Sequence, residues 1–297
     1  MNSLHAMTVD VEEYFHVEAL NGIVDRSEWP YLESRVVAST ERCLRLFERE
    51  QVRATFFVLG QVARRHPRLV RRIVEAGHEL ACHSDGHQRI TSQSPVQFRE
   101  DLRAAKAALE DAGGVEVIGY RAPTFSVVRE TRWALDVLVE EGFRYDSSIY
   151  PIHHDRYGIP DAPRSPYRID RGPGAGLVEL PPTTMRVRGR NLPCGGGGYL
   201  RLLPLAYNLW AMRRAAEDGP VVVYLHPWEL DPNQPRFAMP RLKAWRAYAG
   251  LDAMEGKLVA VSRSFAFGSA RDVLRARGLL DVAEQRRAGI SVEDAAE

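Results

Sequence analysis

Two histidines four residues apart, His83 and His87, close the stretch HELACHSDGH that begins at His78. It reads as a short strand running into a tight polar turn that opens a helix. Residues four apart share a helix face, so two neutral imidazoles would converge there. Such a pair suits a zinc-like divalent cation that still needs a third, anionic ligand. A pair that merely caps or packs has the same spacing, so the pair decides nothing alone. Carboxylates stand near the start of the chain, where Thr8 to Phe15 (TVDVEEYF) alternates polar and apolar residues. In a strand, residues two apart face the same side, which pairs Asp10 with Glu12. The plain alternative is a solvated strand end, and the apolar neighbours Val9, Val11 and Phe15 weigh against it.

The elements that must position these groups alternate along the chain. A helix is expected from Ser34 to about Glu50, a fully apolar strand from Arg53 to Gly60, and a helix from Pro67 to Ala76 with Gly77 at its end. The strand before His83 follows, then a helix from Pro95 to Ala112. Val115 to Tyr120 reads as a strand ending in Arg121, Glu130 to Glu141 as a helix, and Phe143 to Ser148 as a strand carrying Asp146. Strand, helix, strand, helix in this order implies parallel strands with helices outside them.

Tyr150 to Gly176 breaks the pattern with a long loop rich in Pro, Arg and Gly, usual only where a loop is functional or disordered. His153 and His154 in it are rival metal ligands. Adjacent side chains diverge and the loop offers no platform, so substrate contact is their better use. Leu177 to Pro181 is a strand. The glycine run from Cys194 to Gly198 lacks the Gly-Lys-Ser/Thr of a phosphate loop and reads as a tight turn or close backbone approach. Leu205 to Glu217 is a helix, and Pro220 to Glu229 a buried strand with His226 at its end. Helices then dominate up to a loose polar tail at 286–297, leaving 1–285 as one domain.

Composition narrows the classes. The chain has 297 residues, 45% hydrophobic, enough for one large α/β core, and its net charge of +1 provides no basic field for nucleic acid or anionic lipid. No apolar run is long enough to span a bilayer, and no basic stretch followed by an apolar one marks a signal peptide. Cys43, Cys82 and Cys194 fit no metal pattern and read as buried, reduced thiols, which points to the cytoplasm.

Asp10 and Glu12, His83, Arg121, Asp146 and His226 all fall at or just past the carboxyl end of an expected strand. In a parallel (β/α) barrel those ends form one rim. Singly, Arg121 could be a surface ion pair, Asp146 a turn and His226 a core histidine; together on one rim they describe a site.

These motifs resemble the polysaccharide deacetylases of carbohydrate esterase family 4, the NodB homology domain. The resemblance rests on Thr8 to Glu12, His83 to His87, Arg121-Ala122-Pro123, Asp146-Ser147-Ser148 and Leu225-His226-Pro227, and covers about Met7 to Glu229. A closer likeness is to the subgroup found with bacterial exopolysaccharide and exosortase gene clusters. Its signatures are seen in DVEEYF from Asp10, HDRYGIPDAP from His154 and HPWE from His226. The family's first motif has adjacent aspartates, a base and then a metal ligand. Here Val11 follows Asp10, so the ligand role moves to Glu12, as the shared face allows.

The resemblance implies a distorted (β/α) barrel of about seven parallel strands with a helical C-terminal extension. It also implies a divalent metal, zinc first with cobalt, iron or nickel as alternatives, on Glu12, His83 and His87. Asp10 would be the general base, Arg121 its partner, His226 the general acid and Asp146 the holder of its imidazolium. A backbone N–H near Thr124 would stabilise the oxyanion. Tyr150, His154, Leu225 and Trp228 would contact the substrate. The implied activity is N-deacetylation of N-acetylhexosamine units in an exopolysaccharide or its precursor. An allantoinase-like hydrolase of cyclic amides or ureides, and a silent carbohydrate-binding protein, are the competing readings. The expected partner is an N-acetylated saccharide, without nucleic acid or a membrane span, and a homo-oligomer stays open.

Overall fold

The computed structural model describes residues 3–170 and 176–280; the tail expected at 286–297 lies outside them. Eleven strands are described: β1 (His5–Val11), β2 (Thr55–Val58), β3 (Glu79–Cys82), β4 (Gly119–Tyr120), β5 (Tyr145–Asp146), β6 (Tyr167–Asp170), β7 (Gly176–Glu179), β8 (Thr184–Val187), β9 (Arg190–Pro193), β10 (Val222–Leu225) and β11 (Phe267–Gly268). The helices are α1 (Val36–Arg49), α2 (Gly60–Arg65), α3 (Pro67–Glu75), α4 (Pro95–Gly113), α5 (Ala134–Glu140), α6 (Gly197–Leu202), α7 (Leu205–Ala216), α8 (Arg241–Tyr248), α9 (Leu251–Ser262) and α10 (Ala270–Ala276).

The main sheet runs β10-β1-β2-β3-β4-β5-β7-β6, with β11 against the start of β1. The seven strands from β10 to β7 are mutually parallel, and only β6 turns back. The fold is therefore a mixed α/β structure whose parallel sheet curls into a half-barrel, in line with the expected seven strands. Between β7 and β10 no ladder forms. Thr183 bridges that gap, its Oγ1 accepting from Val222 N–H and donating to the Val222 carbonyl, while Tyr224 N–H donates to the Gly195 carbonyl. Here the glycine run shows its purpose: a Cβ on Gly196 would sit 2.2 Å from the Tyr224 ring.

Strand parity divides the residues into two layers. Ala6, Phe57, Ala81, Tyr145, Val178 and Val222 fill the inside of the curl, where α10 plugs one end with Ala270, Val273 and Leu274. Val9, Val11, Phe56, Val58, Cys82, Tyr120 and Leu225 face outward against the helices. The α10 plug is fixed by hydrogen bonds: Thr55 Oγ1 accepts from Ala270 N–H, and Glu79 accepts from Thr55, Tyr145 and Arg271.

Local signals set most boundaries. α4 begins at a capping box in which Ser94 accepts from Gln97 N–H and Gln97 returns the bond, and it ends at left-handed Gly114. One expectation fails locally. No helix carries His83 and His87; they lie on an irregular turn in which Ser84 and His87 take positive φ (75° and 53°), and the next α-helix waits until Pro95. The β8–β9 hairpin, α2, α6, β6 and β11 are further elements beyond the expected set.

Candidate active site

Three donors meet at the rim. Glu12, His83 and His87 are buried, and one ligand atom from each lies within 4.8 Å of the others. Glu12 Oε2 is 2.6 Å from His87 Nε2 and 3.9 Å from His83 Nε2. That oxygen is buried and receives no well-directed hydrogen bond, and the Nε2 atoms of both histidines are turned toward it. An orphaned carboxylate oxygen with two imidazole nitrogens is a donor set that fits a zinc-like cation.

Second partners orient each donor. His83 Nδ1 lies 2.8 Å from the Arg121 carbonyl, an acceptor only, so Nδ1 carries the proton and Nε2 keeps its lone pair toward the site. Burial lowers the His83 pKa to about 4, keeping the ring neutral. Glu12 Oε1 accepts from Trp228 Nε1–H at 3.2 Å. Burial resists ionisation of Glu12, but the imidazoles of His87, His226 and His16 hold it below the usual carboxylate range.

Asp10 stands beside this corner, facing inward next to Phe57 in the β1–β2 register. Arg121 is fully buried and donates from Nη1 to Asp10 Oδ1 and Thr8 Oγ1, both at 2.8 Å. Its Nε and Nη2 donate to the carbonyl and hydroxyl of Ser147, and its guanidinium lies 4.2 Å over the Phe57 ring. Every face of the buried cation is occupied, as a buried ion pair requires.

His226 faces Glu12 from the other side, Nε2 at 3.8 Å from Oε1, and stacks on Trp228 at 5.0 Å. Glu229, not Asp146, lies behind it: Glu229 Oε2 is 3.2 Å from His226 Nδ1 and accepts His226 N–H at 3.1 Å. Arg201 Nε in turn donates to Glu229 Oε1 at 3.2 Å. Burial opposes the imidazolium, yet Glu12 and Glu229 push the His226 pKa up to about 9.

Asp146 therefore does not hold His226, and parity is the reason. Tyr145 points into the curl, so Asp146 points out, in register with outward Tyr120 and with Glu179. There it accepts from Ser148 Oγ, while Ala122 N–H donates to Ser148. The Asp146-Ser147-Ser148 motif thus supports the Arg121 turn. Burial raises Asp146 to about 6 and, with Asp146 beside it, raises Glu179 well above the carboxylate range, so the facing pair shares a proton.

A cavity of about 660 Å³ opens over these groups. Thr124, His154 and Trp228 are on its wall. Thr124 and Phe125 both take left-handed φ (55° and 49°), strain that turns this segment over the rim. His154 stacks on Tyr157 at 3.9 Å. Leu225 is not on the wall, since it faces outward in register with Val9. Tyr150 is also off the wall, fully buried beneath Phe125, Tyr157 and Tyr224. His153 is exposed and outside the cavity.

Several site residues escaped the sequence reading. His16 stacks on His87 at 5.1 Å, its own pKa lowered by burial and by His87. Tyr199, Arg201, Lys243, Trp245 and Arg246 line the cavity. Glu229 alone carried a usable signal. Pro227 after His226 opens a 3₁₀ turn, and a turn of that pitch returns the third residue over its start.

Residues 30–143 match a family model described as polysaccharide deacetylase, and residues 147–275 match one described only as a domain of unknown function. The site draws on both spans. A bifunctional xylanase/deacetylase of Pseudobutyrivibrio xylanivorans is 36% identical over 30% of this chain and 15% of its own length. A peptidoglycan deacetylase of Helicobacter pylori is 29% identical over 38% of this chain and 37% of its own. The chain thus spans well under half of these curated relatives. A solved structure from Mycobacterium smegmatis, titled as a candidate polysaccharide deacetylase, superposes with a TM-score of 0.61 at 22% identity, covering 93% of this chain and 91% of that one. That likeness shows the fold.

Proposed function

We propose that this chain is a metal-dependent N-deacetylase acting on N-acetylhexosamine units of a bacterial exopolysaccharide or its precursor. The observation that carries the reading is the meeting of three groups on one rim: the Glu12–His83–His87 donors, the Asp10–Arg121 pair and the His226–Glu229 pair. The deacetylase match over 30–143 and the deacetylase relatives support the reaction class. The DVEEYF and HPWE stretches support the exopolysaccharide assignment. Neither the ureide hydrolase nor the silent binder is favoured by any feature of the site.

A cation on Glu12, His83 and His87, zinc by its donor set or else cobalt, iron or nickel, would supply Lewis acidity to the acyl carbonyl and to water. Asp10 accepts the proton as water adds to the amide carbon, and Arg121, paired to its Oδ1, holds that carboxylate in place. The N–H of Thr124 or its neighbour donates to the oxyanion. His226 then gives its proton to the departing nitrogen as the C–N bond breaks, with Glu229 steadying the imidazolium from behind. Acetate and a free amino sugar leave. Trp228 and His154 are the substrate contacts.

The test is acetate release from a chito-oligosaccharide, with and without a chelator. Release that stops on chelation and returns with zinc or cobalt is expected. Release that ignores the chelator, or hydrolysis of a ureide in its place, would overturn the reading. No helix among the described residues is long and apolar enough to cross a membrane. The cytoplasmic assignment is part of the proposal and bears on precursor against finished polymer.

A further inference from the structure

The cavity has a wall that the hydrolytic chemistry leaves unused. Lys243, Trp245 and Arg246 reach it from α8, downstream of every motif that carries the chemistry. Trp245 is 54% exposed, a large apolar surface left in water at a cavity mouth and so available to a ligand.

The charges around the cavity do not balance evenly. Asp10 is taken by Arg121, and Glu12 by the imidazoles. Glu18 and Asp155 are taken by Arg156, and Arg201 by Glu229. Among the described residues, Lys243 and Arg246 have no carboxylate within ion-pairing distance; Lys243 Nζ makes only a 3.5 Å contact to the Asn21 carbonyl. Two unmatched cations on one wall of a partly enclosed cavity focus a field that favours an anion. Arg246 shares the cavity wall with His154 and Tyr199, and adds to the burial that lowers the pKa of the histidine. The wall is held in place, because Arg201 donates to the Arg246 and Ala249 carbonyls at the end of α8 while it holds Glu229.

We propose that α8 recognises an acidic group on the substrate, so that the ligand class is an N-acetylated saccharide bearing a phosphate or a uronate carboxylate. Lys243 and Arg246 pair with the anion and Trp245 stacks on a sugar ring. The proposal rests on the saccharide reading above and adds the charge of the ligand.

The test measures binding to the chelated full chain by calorimetry, so that it needs no turnover. Two matched comparisons are made: a hyaluronan tetrasaccharide against tetra-N-acetylchitotetraose, and N-acetylglucosamine 1-phosphate against N-acetylglucosamine. In at least one, the acidic member is expected to bind about tenfold more tightly at low salt, with the advantage shrinking as salt is added. The comparison that shows it identifies uronate or phosphate as the anion. The advantage should vanish in Lys243→Ala/Arg246→Ala, whereas Trp245→Ala should weaken acidic and neutral sugars alike. Equal affinity within both comparisons, or an advantage that survives the double substitution, overturns the proposal. An acidic preference, with no acetate released from any of the four probes by the zinc-loaded chain, would uphold the wall and sink the deacetylase. Acetate release without an acidic preference would do the reverse.

Discussion

Two histidines reach the same carboxylate from opposite sides and end in opposite states. His83 Nε2 lies 3.9 Å from Glu12 Oε2, and His226 Nε2 lies 3.8 Å from Glu12 Oε1. Burial brings the first down to about 4; the second, part-exposed, is pushed up to about 9 by Glu12 and Glu229 against the cost of desolvation. The difference lies at the far ring nitrogen, where His83 meets a carbonyl and His226 meets a carboxylate. A neutral acceptor leaves a neutral ring with a lone pair for a cation, while a carboxylate favours a charged ring that can donate a proton. In the proposed reaction, what stands behind each imidazole sorts ligand from acid.

Four substitutions probe that division. His226→Ala should have the largest effect, lowering kcat by about 10²–10⁴-fold while bound metal per chain stays unchanged. Full activity in this variant would remove the acid from the account. Glu229→Gln should lower kcat by roughly 10–100-fold with little change in KM, because the ring keeps its place but loses its counter-charge. Steady-state kinetics read both.

Trp228→Phe keeps an aromatic ring for His226 and deletes the donor to Glu12. Metal affinity, titrated against a chelator, should fall about tenfold, whatever the change in substrate contact does to KM.

The smallest effect on turnover is expected from Glu179→Gln, on the outward face, and its signature is stability. Asp146 is raised from 3.8 to about 6, so the folded chain holds a proton that the unfolded chain releases. Stability from this group is complete below pH 4 and is lost as pH climbs through 6. Glutamine mimics protonated Glu179, donates to Asp146 and removes the like charge. Thermal melts should show the variant gaining on the parent between pH 4 and 7, by on the order of 2 kcal/mol at the upper end. Parallel pH curves for the two chains would mean that no proton is shared.

The parallel sheet was legible because β2 and β10 are short apolar runs and the helices between strands carry caps, as at Ser94 and Gly114. Asp10, Glu12, His83, Arg121 and His226 could be placed together from the sequence because each lies at or just past the end of a strand, and His87 follows His83 within one turn. Asp146 and Leu225 show the limit. Placing a residue on the rim does not fix which way it points, and one step of parity turns it outward. Tyr145 and Tyr224, the inward neighbours, gave no sign of that in the sequence. The His83–His87 spacing suggested the right convergence through the wrong geometry, since left-handed Ser84 and His87 build a turn there. Arg201 and the α8 residues were hidden because only tertiary packing brings them to the cavity.

In the proposed reaction Glu12 holds the cation and Glu229 serves the acid. The most direct test is elemental analysis of bound metal in Glu12→Gln and Glu229→Gln after the same zinc loading and dialysis, with thermal melts to show that both are folded. The account predicts that Glu12→Gln emerges with almost no metal, and that Glu229→Gln keeps about one ion per chain while remaining slow. Metal retained in full by Glu12→Gln, or lost from Glu229→Gln, would contradict it.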